Sequence, residues 1–178
     1  MTLEEMKQKV LLLVEEYNDN ADLLTDDDDI GNKLNTVINQ VQNEISRFKK
    51  IDAYAELEVT EGQEIAFSDI DTSLYQLNII RGVDYNVTGN RVTFNEAGTA
   101  KIYYYKYPKQ INTETEDEFV FELSTDALEV MPYGIAADVL KSDVSSNYGT
   151  VYAQRYQEML SVLDSRNAMF SITFGEGV

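Results

Sequence analysis

The sequence predicts an α+β protein: a helical bundle of about four helices, an inserted antiparallel β-meander or small sandwich, and an extended C-terminal arm. Three observations predict it. Apolar residues recur every three or four positions in two stretches near each end of the chain. Between them the period falls to two, and turn residues come close together. The last residues, 169–178, alternate apolar and polar again. The expected divisions are 1–52 for the N-terminal helices, 53–123 for the β insertion, 124–166 for the C-terminal helices and 167–178 for the arm.

Thr2-Leu3-Glu4-Glu5 spells a capping box, in which the Thr2 side chain takes the Glu5 amide and Glu5 reaches back. Leu3, Met6, Val10, Leu13, Val14 and Tyr17 then make one apolar stripe, ended by Asn18-Asp19-Asn20. A second stripe runs Ile30, Leu34, Val37, Ile38, Val41, Ile45, Phe48. Asp26 to Asp29 lie at its positive dipole end and Lys49-Lys50 at its negative end.

After Ile51 the pattern changes. Ala55, Leu57 and Val59 alternate with Glu56, Glu58 and Thr60, a strand with one wet face. Glu61-Gly62 reads as a turn, and Ile65 to Phe67 restart an apolar run. Tyr75, Leu77 and Ile79 predict a strand broken at Gly82. Tyr85–Val87 and Val92–Phe94 flank Thr88-Gly89-Asn90, a tight hairpin. Thr99 to Tyr107 form the last strand, stopped by Pro108, which has no amide to donate. Pro132 suits the first turn of a helix carrying Ile135, Val139 and Leu140. After a loop from Ser142 to Gly149, the residues Val151, Tyr152, Tyr156, Met159, Leu160 and Leu163 predict a last amphipathic helix.

Composition excludes whole classes of chemistry. The 178 residues hold no His and no Cys, so zinc fingers, haem ligation by His or Cys, thiol nucleophiles and the Ser-His-Asp triad are out. With 14 basic and 32 acidic residues the net charge is −18, which opposes gripping a polyphosphate. No run approaches the roughly 18 apolar residues of a membrane helix, and the start has no signal-peptide pattern. The expectation is a soluble intracellular product with no membrane partner.

Asp26-Asp27-Asp28-Asp29 invites a calcium reading. With Gly31 as the sixth position of an EF-hand loop, Ile30 and Val37 fall where oxygen ligands are required, and the motif fails. Carboxylate pairs such as Glu4/Glu5, Glu15/Glu16, Glu56/Glu58 and Glu114/Glu116 arise readily among 32 acids and do not by themselves make a hydrolase. Gly31, Gly62, Gly82, Gly89 and Gly98 sit singly at turns, so no phosphate-cradling loop is present.

Tyr103-Tyr104-Tyr105-Lys106-Tyr107-Pro108 is the most unusual run. Tyr103, Tyr105 and Tyr107 share one strand face, and Ile102, Tyr104 and Lys106 the other. Two aromatic faces exceed what a small sheet can bury alone, so the run reads equally as core and as a protein interface. In the tail, Phe170, Ile172 and Phe174 fall on one side of an extended segment, which needs a cover from its own subunit or from a neighbour by strand addition. Gly175 and Gly177 allow close backbone approach there.

The helix pair, the β insertion ending in Tyr104-Tyr105-Lys106-Tyr107-Pro108, and the stretch Met131-Pro132-Tyr133-Gly134-Ile135-Ala136-Ala137-Asp138-Val139-Leu140-Lys141-Ser142-Asp143 resemble head-to-tail adaptor (connector) proteins of tailed bacteriophages. So do Asn147-Tyr148-Gly149 and Tyr152-Ala153-Gln154-Arg155-Tyr156-Gln157-Glu158-Met159-Leu160. The resemblance implies a structural virion protein at the head–tail junction, assembled in the host cytoplasm. It implies a homo-oligomeric ring, usually of twelve copies, between the portal protein and the tail or tail-terminator (stopper) proteins. DNA passes through such a ring without specific binding. The resemblance implies no cofactor, no metal and no catalysis. Acidic walls suit a channel along which DNA must slide. The competing readings are an acidic DNA mimic or other protein-binding module, and a carboxylate-dependent hydrolase.

Overall fold

Helix α1 starts where the capping box places it. In the computed structural model, which describes residues 1–15, 28–142 and 147–167, Thr2 N–H donates to Glu5 Oε2 at 2.8 Å. Glu5 N–H returns a bond to Thr2 Oγ1 at 3.2 Å. Among the described residues the chain is mixed α+β, with five α-helices and two three-stranded antiparallel sheets. The order is α1 (Leu3–Glu15), α2 (Asp28–Phe48), β1 (Ile51–Val59), β2 (Glu64–Ala66), α3 (Phe67–Ile70), β3 (Leu74–Arg81), β4 (Tyr85–Thr88), β5 (Arg91–Phe94), β6 (Gly98–Lys106), α4 (Thr125–Val139), a 3-10 turn (Leu140–Ser142) and α5 (Tyr148–Asn167). They divide into two compact units: a helical unit, Met1–Lys49 with the chain from Gln110 onward, and a β unit, Lys50–Lys109.

In the helical unit most of the two predicted N-terminal stripes is core, with Leu13, Val37 and Phe48 half-buried. Leu3, Met6, Val10 and Val14 of α1 are buried, as are Leu34, Ile38, Val41 and Ile45 of α2. Tyr17 lies outside the described residues. Helix α4 packs against α1, α2 and α5 and is apolar on most sides, as a central helix must be. It begins seven residues earlier than the sequence suggests. Ser124 stands at its N-cap, and Pro132, expected in the first turn, is buried in the helix interior. A proline there removes a backbone bond and costs about 3 kcal/mol. Burial of Leu128, Met131, Ile135 and their neighbours offsets that cost, at about 1.5–3 kcal/mol for each large side chain. Gly134 lets α5 approach: a Cβ there would lie 2.8 Å from the Tyr156 ring. Tyr156, Leu160 and Leu163 form the buried face of α5, whereas Val151, which the stripe includes, is 56% exposed.

The sequence pattern carries the β insertion to residue 123, but the β unit closes at Lys109. Residues 110–123 are bound to the helices. Three asparagines one turn apart on α2 hold the chain there. Asn39 Nδ2 donates to the Ile111 carbonyl at 2.7 Å, and Ile111 N–H donates to Asn39 Oδ1 at 2.9 Å. Asn39 thus imitates a strand neighbour. Asn35 donates to the Asn112 carbonyl, and Gln110 donates to Asn43. Downstream, Leu3 N–H donates to the Phe119 carbonyl, Thr2 bridges Val120, and Phe121 and Leu123 are buried. Period-two alternation marks strands that bury one face; it says nothing about an irregular segment whose backbone is satisfied by amide side chains.

In the β unit one sheet has the order β1-β6-β3 and the other β2-β5-β4. Both contribute to one core: Val59, Ile80, Ala100, Ile102 and Tyr104 from the first, Val92 and Phe94 from the second. β1 and β6 pair without interruption from Ile51↔Lys106 to Val59↔Gly98. β3 carries two register shifts. These bulges replace the expected Tyr75-Leu77-Ile79 face, so Leu74, Leu77 and Ile80 pack on the core and Ile79 faces out. The predicted hairpin joins β4 and β5 through Gly89-Asn90, with Gly89 at φ +61. The apolar restart at Ile65 ends as strand at Ala66, and Phe67 opens the single turn of α3.

Candidate protein-interaction surface

Strand β6 has two faces of different fate. Ala100, Ile102 and Tyr104 are buried, while Lys101 is exposed and Thr99, Tyr103 and Tyr105 are half-buried. The Tyr104 hydroxyl donates to Asp71 Oδ2 at 2.8 Å. Burial, and then that bond, push the Tyr104 hydroxyl up to about 12. Burial also pulls the Asp71 carboxyl upward, but bonds from the Ser73 hydroxyl and amide, the Tyr104 hydroxyl and the nearby Lys106 charge outweigh it. Asp71 therefore sits below its ordinary value. Tyr104 is a core residue with a satisfied hydroxyl.

The outward face is built row by row across β1, β6 and β3. One row is Glu56, Lys101, Arg81; the next is Tyr54, Tyr103, Ile79; the third is Asp52, Tyr105, Gln76. The Tyr54 and Tyr103 rings are 5.1 Å apart. The Arg81 guanidinium lies 5.6 Å from the Tyr103 centroid, and Lys50 Nζ lies 4.3 Å from that of Tyr105. Tyr54 is 48% exposed and Ile79 37%. The Tyr54 hydroxyl donates to the Glu56 carboxylate, which raises the Tyr54 group to about 12.

Of the residues singled out from sequence, Tyr103 and Tyr105 are brought onto this face. Tyr107 lies past the end of the strand, where its ring packs on Tyr75 at 4.6 Å and its N–H donates to Ser73. Phe170, Ile172, Phe174, Gly175 and Gly177, with the whole stretch 168–178, lie outside the described residues. Sequence reasoning missed Tyr54, Ile79 and Arg81. Tyr54 had a signal, as the one aromatic in an otherwise acidic row of 52, 54, 56 and 58. Ile79 had none, because a bulge turned it outward.

The charge is unevenly divided. Lys50–Lys109 holds six basic and nine acidic residues, net −3, leaving eight and 23, net −15, for the rest of the chain. Open grooves lie between described helices of the helical unit. One, of about 450 Å³, lies between α1 and α4 and includes Leu12, Leu128 and Glu129, the last tied to Lys9 at 2.8 Å. The other, of about 410 Å³, lies between α4 and α5 beside Val130, Met159 and Val162. Among the described residues no group of three or more acids converges to hold a metal ion. The arrangement can present aromatic rings, one aliphatic side chain and charges of both signs to another protein. No protein-family model matches the chain, and no curated protein matches it.

Proposed function

We propose that this protein is a head-to-tail adaptor of a tailed bacteriophage, a ring-forming structural subunit between portal and tail. The observation that carries the reading is chain order joined to local sequence. In chain order a β unit stands between two helix pairs, and the described residues of the runs that resemble adaptors, 131–142 and 148–160, fall on α4, the turn after it and α5. In this reading α1, α2, α4 and α5 form the bundle, the two sheets form a small sandwich, and the segment after α5, outside the described residues, serves for docking. The division of charge supports it. The helical unit, at net −15, suits a wall past which DNA slides, because like charge keeps the polyphosphate from sticking. The β unit is close to neutral and carries the exposed aromatic face, which suits contact with protein.

The subunit needs no cofactor and performs no chemistry in this role. Portal, tail-terminator or stopper proteins and further copies of the chain are its partners. The test is electron microscopy of the purified protein mixed with the portal protein encoded near its gene. Rings stacked on the portal are expected. A chain lacking 169–178 should remain folded yet fail to stay on the portal. Portals that stay bare with the full chain, or a gene far from portal and capsid genes, would overturn the reading.

A further inference from the structure

The geometry points to a second copy of this chain as the occupant of the outward face of β1-β6-β3, in a two-fold, face-to-face pair with the axis along β6. This takes from the adaptor reading only that the face is a protein contact. A two-fold contact closes as a pair, so it concerns the free protein and is separate from contacts around a ring.

The face has a polarity that runs across the strands. Its β1 side is acidic, with Asp52, Glu56 and Glu58 exposed. Its β3 side carries Arg81, and Lys101 of the central strand lies beside it. Between the charges lie Tyr54, Tyr103 and Ile79. Acids on an edge strand have a simple use, since they deter unwanted strand addition. That use does not call for a cation on the opposite edge or for an exposed isoleucine and tyrosine between them. Neither Arg81 nor Lys101 forms an ion pair among the described residues.

Symmetry selects the arrangement. When two such faces stack with the axis along β6, the β1 side of one lies over the β3 side of the other. Glu56 then faces the second copy's arginine at position 81, and Tyr54 faces its isoleucine at position 79, twice over. An axis across the strands would put acid over acid. The same axis brings the two Lys101 side chains together, and each has the reach to turn its ammonium away toward Glu58 of the other copy. The rings and Ile79 are then covered, and the apolar centre is rimmed by charge, as in ordinary interfaces. The net −3 of the β unit makes the approach tolerable, and the −15 carried elsewhere is screened over about 8 Å at physiological salt.

The test is sedimentation of the purified full-length chain at physiological salt over a wide concentration range. The wild type should form dimers. Glu56→Arg sets arginine over arginine and Arg81→Glu sets acid over acid, so each should weaken dimerisation by about tenfold or more. The double variant Glu56→Arg/Arg81→Glu restores the match and should dimerise within about threefold of wild type. An equimolar mixture of the two single variants should form mixed pairs. Crosslinking gives a second readout that spares the charges, because the chain has no cysteine. Tyr54→Cys chains mixed with Ile79→Cys chains should be joined by a bismaleimide of about 10 Å span, the spacing of stacked sheets, and either variant by itself should crosslink far less. Each chain then carries a single cysteine, so every crosslink joins two copies. A wild type that stays monomeric, a dimer indifferent to both reversals, or crosslinking of either cysteine variant alone as efficient as that of the mixture would each overturn the pair. Bare portals with the dimer intact would instead sink the adaptor reading alone.

Discussion

Gly134 shows how a single missing atom sets a contact. Its absent side chain is where the Tyr156 ring lies, and the Tyr156 hydroxyl reaches Glu44 Oε2 at 3.0 Å. Gly134→Ala should cost about 1–3 kcal/mol, read as a lower denaturation midpoint, because the ring must move from a packed site. Burial, then the Glu44 charge, raise the Tyr156 group, and Tyr104 is raised to about 12. A phenol whose folded value is raised stabilises the fold below its unfolded value near 10 and loses that contribution as pH climbs through the folded value. Stability should therefore fall above about pH 10, and Tyr104→Phe should flatten that alkaline loss. The acid side runs the other way. The Ser124 hydroxyl bond, opposed by burial and aided by Lys49, lowers Asp126, and Asp71 is lowered too. Their contribution is present above the ordinary aspartate value near 4 and is lost as pH falls below it. Asp71→Asn should remove part of that acid loss, measured by denaturant titration between about pH 5 and pH 2.

Among the elements, α2 and β3 depart furthest from their patterns. The apolar stripe of α2 was plain, but Gln42 and Ser46 are also fully buried, and its asparagines hold 110–112 as a strand would. Asn39→Ala should cost about 1–3 kcal/mol, because it strands the amide and carbonyl of buried Ile111. Leu34→Asp should unfold the helical unit outright, by placing a charge where a buried leucine stood; circular dichroism would show it. β3 ends at Gly82, whose φ is +96 and where a Cβ would lie 2.5 Å from the Thr99 carbonyl oxygen. Gly82→Ala should disrupt the turn into β4 and expose the β-unit core, seen as faster amide exchange at Ile80, Val92 and Ile102.

At the scale of the whole molecule the charge is the dominant quantity. A net −18 repels itself, most strongly in the helical unit. The melting temperature should rise as salt increases from about 10 to about 150 mM, where the screening length shortens from roughly 30 to 8 Å. Sequence alone determined the α+β class, the two N-terminal helices, the capping box, the β4–β5 hairpin and the split of β6 into a buried and an outward row. Each of these rests on local periodicity or on a side chain bonding within a few residues of itself, so neighbours along the chain carry the signal. Only the tertiary structure decided that Pro132 lies inside α4, that 110–123 belongs with the helices, that Val151 is exposed and that Ile79 turns outward. Those outcomes depend on burial from neighbouring helices, on amide side chains distant in sequence and on bulges, none of which leaves a period. The interaction face divides the same way: Tyr103 and Tyr105 were legible from alternation, whereas Tyr54, Ile79 and Arg81 joined them only through the register of β1 and β3 against β6.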